Sequence, residues 1–197
     1  MPNPIARTVP GTQIPCRVFE SSDDACRHVA QMIANLIRQR RASGQKAVLG
    51  LATGSTPLGV YRELSRMYRE DNLDFSHVET FNLDEYYGLS PERLQSYRRW
   101  MFAQFFNHVN VPRDAIHLLD GTVTADRVEE HCRQFEDAIR QAGGIGLQLL
   151  GIGRNGHIGF NEPFSVPNSR TRLVTLDPVT RKDAAGDFLS EDNVPSH

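Results

Sequence analysis

Three segments of this chain place reactive side chains in turns that follow apolar runs. Residues 151–163 read G-I-G-R-N-G-H-I-G-F-N-E-P, which sets His157, Asn155 and Glu162 in a glycine-rich turn behind G-L-Q-L-L-G. A neutral histidine there can act as acid or base near pH 7, with Glu162 or Asn155 orienting its ring and fixing the tautomer. Residues 81–89, F-N-L-D-E-Y-Y-G-L, put Asp84 and Glu85 at the end of a second apolar run beside two tyrosines. Partial burial against aromatic rings disfavours a charged carboxylate and raises its pKa toward the range useful for taking a proton from carbon. Alternatively, both acids cap or salt-bridge a turn. Residues 53–57, T-G-S-T-P, follow a third apolar run. If Thr53, Gly54, Ser55 and Thr56 open a helix, free backbone N–H groups, hydroxyls and the positive helix end converge on one point and suit an anion. No Gly-Lys-Ser/Thr follows, so a monophosphate fits better than a nucleoside triphosphate. An ordinary capped helix start has the same composition.

The elements that must position these groups alternate. Residues 16–20 read as a first strand, and Ser22, Asp23 and Asp24 cap a helix to about residue 42, stopped by Ser43-Gly44. A buried strand is expected over 47–52, a tight loop over 53–56, and a helix from Pro57 with Leu58, Tyr61 and Leu64 inward. Strands at 78–83, 116–119 and 146–151 and helices at 96–109 and 125–142 complete the pattern. Strand then helix, repeated, predicts an α/β fold: a mostly parallel sheet with helices on both faces and its chemistry at the strands' carboxyl ends. At 197 residues one domain is expected, with 1–15 an irregular lead and 16–197 the α/β unit.

Composition closes off several classes. A net charge of -2, with 39% hydrophobic and 23% charged residues, gives no footprint for nucleic acid or an anionic membrane. No apolar run is long enough to span a bilayer, and the first residues lack a signal-peptide apolar region, so the cytoplasm is the expected compartment. Cys16, Cys26 and Cys132 are an odd count without C-x-x-C spacing and read as reduced core residues. Gly151, Gly153 and Gly156 match G-x-G-x-x-G, with Asp177 further on, but Pro163 and Pro167 leave no room for the helix a dinucleotide site needs. Asp84 and Glu162 as paired glycosidase carboxylates would depend on a separation that only a structure supplies. No His-x-x-x-His or cysteine pair supports a metal.

In this order, L-G-L-A-T-G-S-T-P, F-N-L-D-E-Y-Y-G-L and G-I-G-R-N-G-H-I-G-F-N-E-P resemble the glucosamine-6-phosphate deaminases, over about residues 16–195. The second and third motifs distinguish the resemblance from the related 6-phosphogluconolactonases. It implies a modified Rossmann-like fold and a reaction without metal or cofactor, in which glucosamine 6-phosphate and water give fructose 6-phosphate and ammonia. Carried over by position, His157 opens the pyranose ring with Glu162 and Asn155 assisting, and Asp84 moves a proton between C2 and C1. Gly54, Ser55 and Thr56 hold the phosphate. Many members have Asp where this chain has Asn155, which can orient an imidazole but lacks the charge to stabilise an imidazolium. Of the effector-binding serine, arginine and lysine of regulated members, Ser165 and Arg172 match while Val174 replaces the lysine, and a phosphate-binding arginine falls at Gly186.

Family members continue past Asn193-Val194-Pro195 with further strands and a phosphate-contacting lysine, so the resemblance implies a domain incomplete at its C-terminus. Missing strands would expose an apolar face and an unpaired edge, favouring self-association into a homo-oligomer. The competing outcome is a silent phosphosugar-binding module.

Overall fold

The computed structural model describes residues 7–11 and 13–197, so residues 1–6 and 12 of the expected irregular lead lie outside the described residues. Four parallel strands form the central sheet in the order β5-β4-β3-β6. These are β3 (Ala47–Leu51), β4 (Val78–Asn82), β5 (Ile116–His117) and β6 (Leu147–Gln148). Every residue of β3 is buried, as expected for a central parallel strand covered on both faces.

The helices are α1 (Ser22–Ala42), α2 (Ser55–Glu70), α3 (Tyr97–Gln104), α4 (Val128–Gln141) and α5 (Pro178–Ala184). Ala30, Ile33, Ala34 and Ile37 of α1 and Val60, Tyr61 and Leu64 of α2 enter one core with Ala47, Leu49, Leu51 and Val78. Phe81, an odd number of residues from Val78, points to the opposite face and meets Phe135 of α4 edge-on at 5.6 Å. Helices therefore cover both faces, as the alternation predicts.

The cap of α1 lies one residue before the expected one: the Ser21 hydroxyl accepts from the Asp24 amide, and Ser43 closes the helix. Helix α2 begins at Ser55, two residues before Pro57, which is tolerated inside the first turn because the missing N–H has no intrahelical partner there. The first strand differs more. Only Arg17–Val18 (β2) is extended, and it pairs antiparallel with Arg7–Thr8 (β1) outside the central sheet. Its exposed side chains give it no apolar face to bury. The strands at 116–119 and 146–151 shorten to two residues each. Beyond β6, at one edge of the sheet, Leu150 and Ile152 are exposed.

Candidate active site

The loops after β3, β4 and β6 leave the carboxyl ends of adjacent strands, where parallel sheets gather ligands. They enclose a cavity of about 400 Å³ lined by Thr53, Gly54, Ser55, Thr56, Asp84 and His157. Helix α2 opens into it with Gly54 at its cap in the left-handed region (φ 115°), and no side chain caps its first amides. Those N–H groups and the exposed Ser55 and Thr56 can receive an anion. Among the described residues no lysine or arginine lines this cavity, whereas Asp183 and Asp187 do.

The two adjacent acids of the second motif take opposite roles. Glu85 turns away to cap α3: its carboxylate accepts from the amides of Tyr86 (2.9 Å), Tyr97 (3.0 Å) and Arg98 (3.0 Å) and from the Ser96 hydroxyl (2.8 Å). Asp84 accepts no hydrogen bond among the described residues. Tyr86 and Tyr97, with ring centroids 5.0 Å apart, belong to an aromatic cluster with Phe160 and Phe188 that borders the same cavity. Desolvation, with repulsion from Glu85 second, pushes the Asp84 carboxyl up to about 7. A carboxylate so placed is half-protonated near neutrality and can both take and return a proton.

His157 is held by a layer behind the cavity wall. Its Nδ1 lies 3.0 Å from Thr180 Oγ1 and 3.6 Å from Glu162 Oε2, the latter too long for a hydrogen bond. Asn155 receives the His157 backbone N–H on Oδ1 (3.1 Å) and donates from Nδ2 to Glu162 (3.0 Å). Glu162 also accepts from the Asp177 amide (3.1 Å), and Asp177 caps α5 through the Val179 amide. The expected ring contact from Asn155 or Glu162 is thus made instead by Thr180. The dinucleotide reading fails on the backbone: a turn and a tight bridge between Ile158 and Asn161 follow Gly156, and the next helix is α5.

The model of the family described as glucosamine-6-phosphate isomerases/6-phosphogluconolactonase matches residues 20–164. The chain belongs to this family. It is 47% identical over 167 residues to a glucosamine-6-phosphate deaminase of Thermoanaerobacter sp. (strain X514), covering 85% of this chain and 65% of that one. Against the glucosamine-6-phosphate deaminase of Halothermothrix orenii it is 49% identical, covering 86% and 69%. The chain thus spans about two thirds of the length of the curated relatives it matches. Among solved structures, a glucosamine-6-phosphate deaminase described as monomeric superposes with a TM-score of 0.83 at 42% identity, covering 89% of this chain and 70% of that one. A 6-phosphogluconolactonase from Thermotoga maritima gives 0.64 at 26% identity, covering 78% and 67%.

In this isomerase/lactonase-family chain, the structure brings Thr53, Gly54, Ser55, Thr56, Asp84 and His157 around one cavity and puts Asn155 and Glu162 behind the histidine. Ser165 and Arg172 lie elsewhere. The Arg172 guanidinium donates to Ser165 Oγ (2.9 Å), Asn161 Oδ1 and Ser169 Oγ, and it borders a second cavity of about 270 Å³ on the α4 side of the sheet, which Asp84 and Phe160 also line. Thr180, Tyr97, Phe160, Asp183 and Asp187 are among the cavity residues that sequence reasoning missed. The Asp177-Pro178 pair, an N-cap followed by proline at N1, was the available signal for α5 and hence for Thr180.

Gly153 is required by the ring. A Cβ built there would lie 2.2 Å from Cε1 and Nε2 of His157, although its φ suits any residue. Gly153→Ala is therefore expected to leave unfolding temperature nearly unchanged while reducing turnover roughly 10²-fold, the scale of a 1 Å displacement of a reacting group. Full activity in that variant would show that the ring position does not matter.

Proposed function

We propose that the cavity is the active site of a glucosamine-6-phosphate deaminase acting in the cytoplasm, where thiols such as Cys16, Cys26 and Cys132 stay free. The observation that carries this reading is Asp84: a carboxyl without a hydrogen-bond partner among the described residues, raised to about 7, facing the same cavity as His157 and the open end of α2. The amides and hydroxyls at Gly54, Ser55 and Thr56 bind the phosphate and anchor the sugar. His157 takes the proton from the C1 hydroxyl, the C1–O5 bond breaks, and O5 is protonated to give the open-chain aldehyde. Asp84 removes the C2 proton while the C2 ammonium gives a proton to O1, forming the enolamine, and Asp84 then returns its proton to C1. The resulting C2 iminium adds water and loses ammonia, leaving the ketone of fructose 6-phosphate. Glu162 supplies negative charge near the imidazolium, compensating for the neutral Asn155.

The test is to incubate the protein with glucosamine 6-phosphate and measure ammonia and fructose 6-phosphate together. Equal yields above an Asp84→Asn blank support the deaminase. Binding of the sugar phosphate without either product favours a second reading, a silent phosphosugar-binding module, which the lack of a basic side chain in the cavity wall also favours.

A further inference from the structure

We propose that Arg154 sets how strongly the cavity binds an anion, by cancelling the charge of Asp183 in the cavity wall. The inference rests on the reading of that cavity as a phosphosugar site. An anion at the open end of α2 meets an electrostatic conflict there. The wall carries Asp183 and Asp187 besides Asp84, and among the described residues no lysine or arginine lines it. Asp183 also lies in the last turn of α5, where helix carbonyls without intrahelical partners add negative potential of their own. A phosphate dianion would be repelled by such a wall.

Arg154 removes part of that repulsion. Its Nη2 donates to Asp183 Oδ1 at 2.7 Å and its Nε to Oδ2 at 3.2 Å, a two-point match of guanidinium to carboxylate. The residue follows Gly153, which lines the cavity, so the turn that carries His157 also places this positive charge. The neighbouring cations of α5 do not stand in for it. Arg181 donates to the carbonyls of Glu191 and Val194, and Lys182 is outside the cavity wall. The Arg154 and Asp183 side chains are 63% and 44% exposed, and ion pairs so exposed add little to stability. Their charges still act on a ligand held within a Debye length, about 8–10 Å at moderate salt.

Removing either partner breaks the bridge equally but changes the charge of the wall in opposite directions, which separates an electrostatic role from a structural one. The experiment measures the dissociation constants of fructose 6-phosphate and of inorganic phosphate by calorimetry in the wild type, Arg154→Gln, Asp183→Asn and the double variant. Fructose 6-phosphate carries the phosphate without the amine, so binding is read without deamination. Arg154→Gln is expected to weaken both ligands roughly threefold to tenfold and Asp183→Asn to tighten them by a similar factor, with both effects shrinking as salt is raised. The double variant, in which neither charge remains, should return to within about twofold of the wild type. Weakening in both single variants would make the bridge a structural tie and overturn the proposal. A double variant as weak as Arg154→Gln would overturn it too, because Arg154 would then act without Asp183. If no form binds fructose 6-phosphate while inorganic phosphate keeps the expected order, the sugar-phosphate reading falls and the proposal stands; if neither anion binds, both fall.

Discussion

Asp84→Asn is expected to lower kcat for deamination by roughly 10²- to 10⁴-fold while changing the affinity for glucosamine 6-phosphate only severalfold, because the amide keeps the shape and loses the base. Equal loss of binding and turnover would make Asp84 a structural residue. The pH profile carries the same information. The base works ionised, and burial raises the Asp84 carboxyl to about 7, so kcat/KM of the wild type should climb about tenfold per pH unit up to roughly that value and then level. A profile already flat at pH 5 would contradict this. Stability should run in the opposite direction. The native pKa lies above the unfolded value, so the folded state holds more protons between about 4 and 7, and stability falls as pH rises through that window. Asn removes the buried charge: at pH 8 the variant should be more stable than the wild type by roughly 1–3 kcal/mol, and at pH 4 by almost nothing. Such a gain, measured by urea unfolding, needs no substrate.

Glu85→Ala, one residue along, should do the reverse: destabilise the fold strongly at neutral pH. Its carboxylate satisfies the amides of Tyr86, Tyr97 and Arg98 and the Ser96 hydroxyl, where α3 starts. Hydrogen bonds to a charged acceptor are worth about 1.5–3 kcal/mol each before non-additivity, and an N-cap alone about 1 kcal/mol, so a loss of about 3 kcal/mol is expected. Tyr97 would move with the frayed helix end, taking the aromatic wall beside Asp84 with it. A urea midpoint equivalent to less than about 0.5 kcal/mol of change would mean that the Ser96 cap, which accepts from the Arg99 amide, suffices by itself.

The sequence by itself determined the class of fold and the alternation of strands and helices from α1 to β6, and it marked the three loops that the structure brings around one cavity. Those signals are local. A buried parallel strand such as 47–51 is a short apolar run, a helix such as 22–42 repeats every three to four residues, and the loop at 53–56 announces itself through glycine and hydroxyl residues. Each is written within a few residues, and the observed core follows from them.

The tertiary structure alone decided what depends on segments meeting across the chain. Asp84 and Glu85 are adjacent and chemically alike, yet one is left bare in the cavity and the other is consumed by α3, because the helix returns to Glu85 eleven to thirteen residues later. Likewise the ring of His157 is held by Thr180 rather than by Asn155 or Glu162 within its own motif, since α5 packs back across the turn. The lengths of β5 and β6 and the pairing of β1 with β2 belong here too. Strand pairing is set by which backbone groups find partners and which faces find apolar cover, and no stretch of a few residues contains that information.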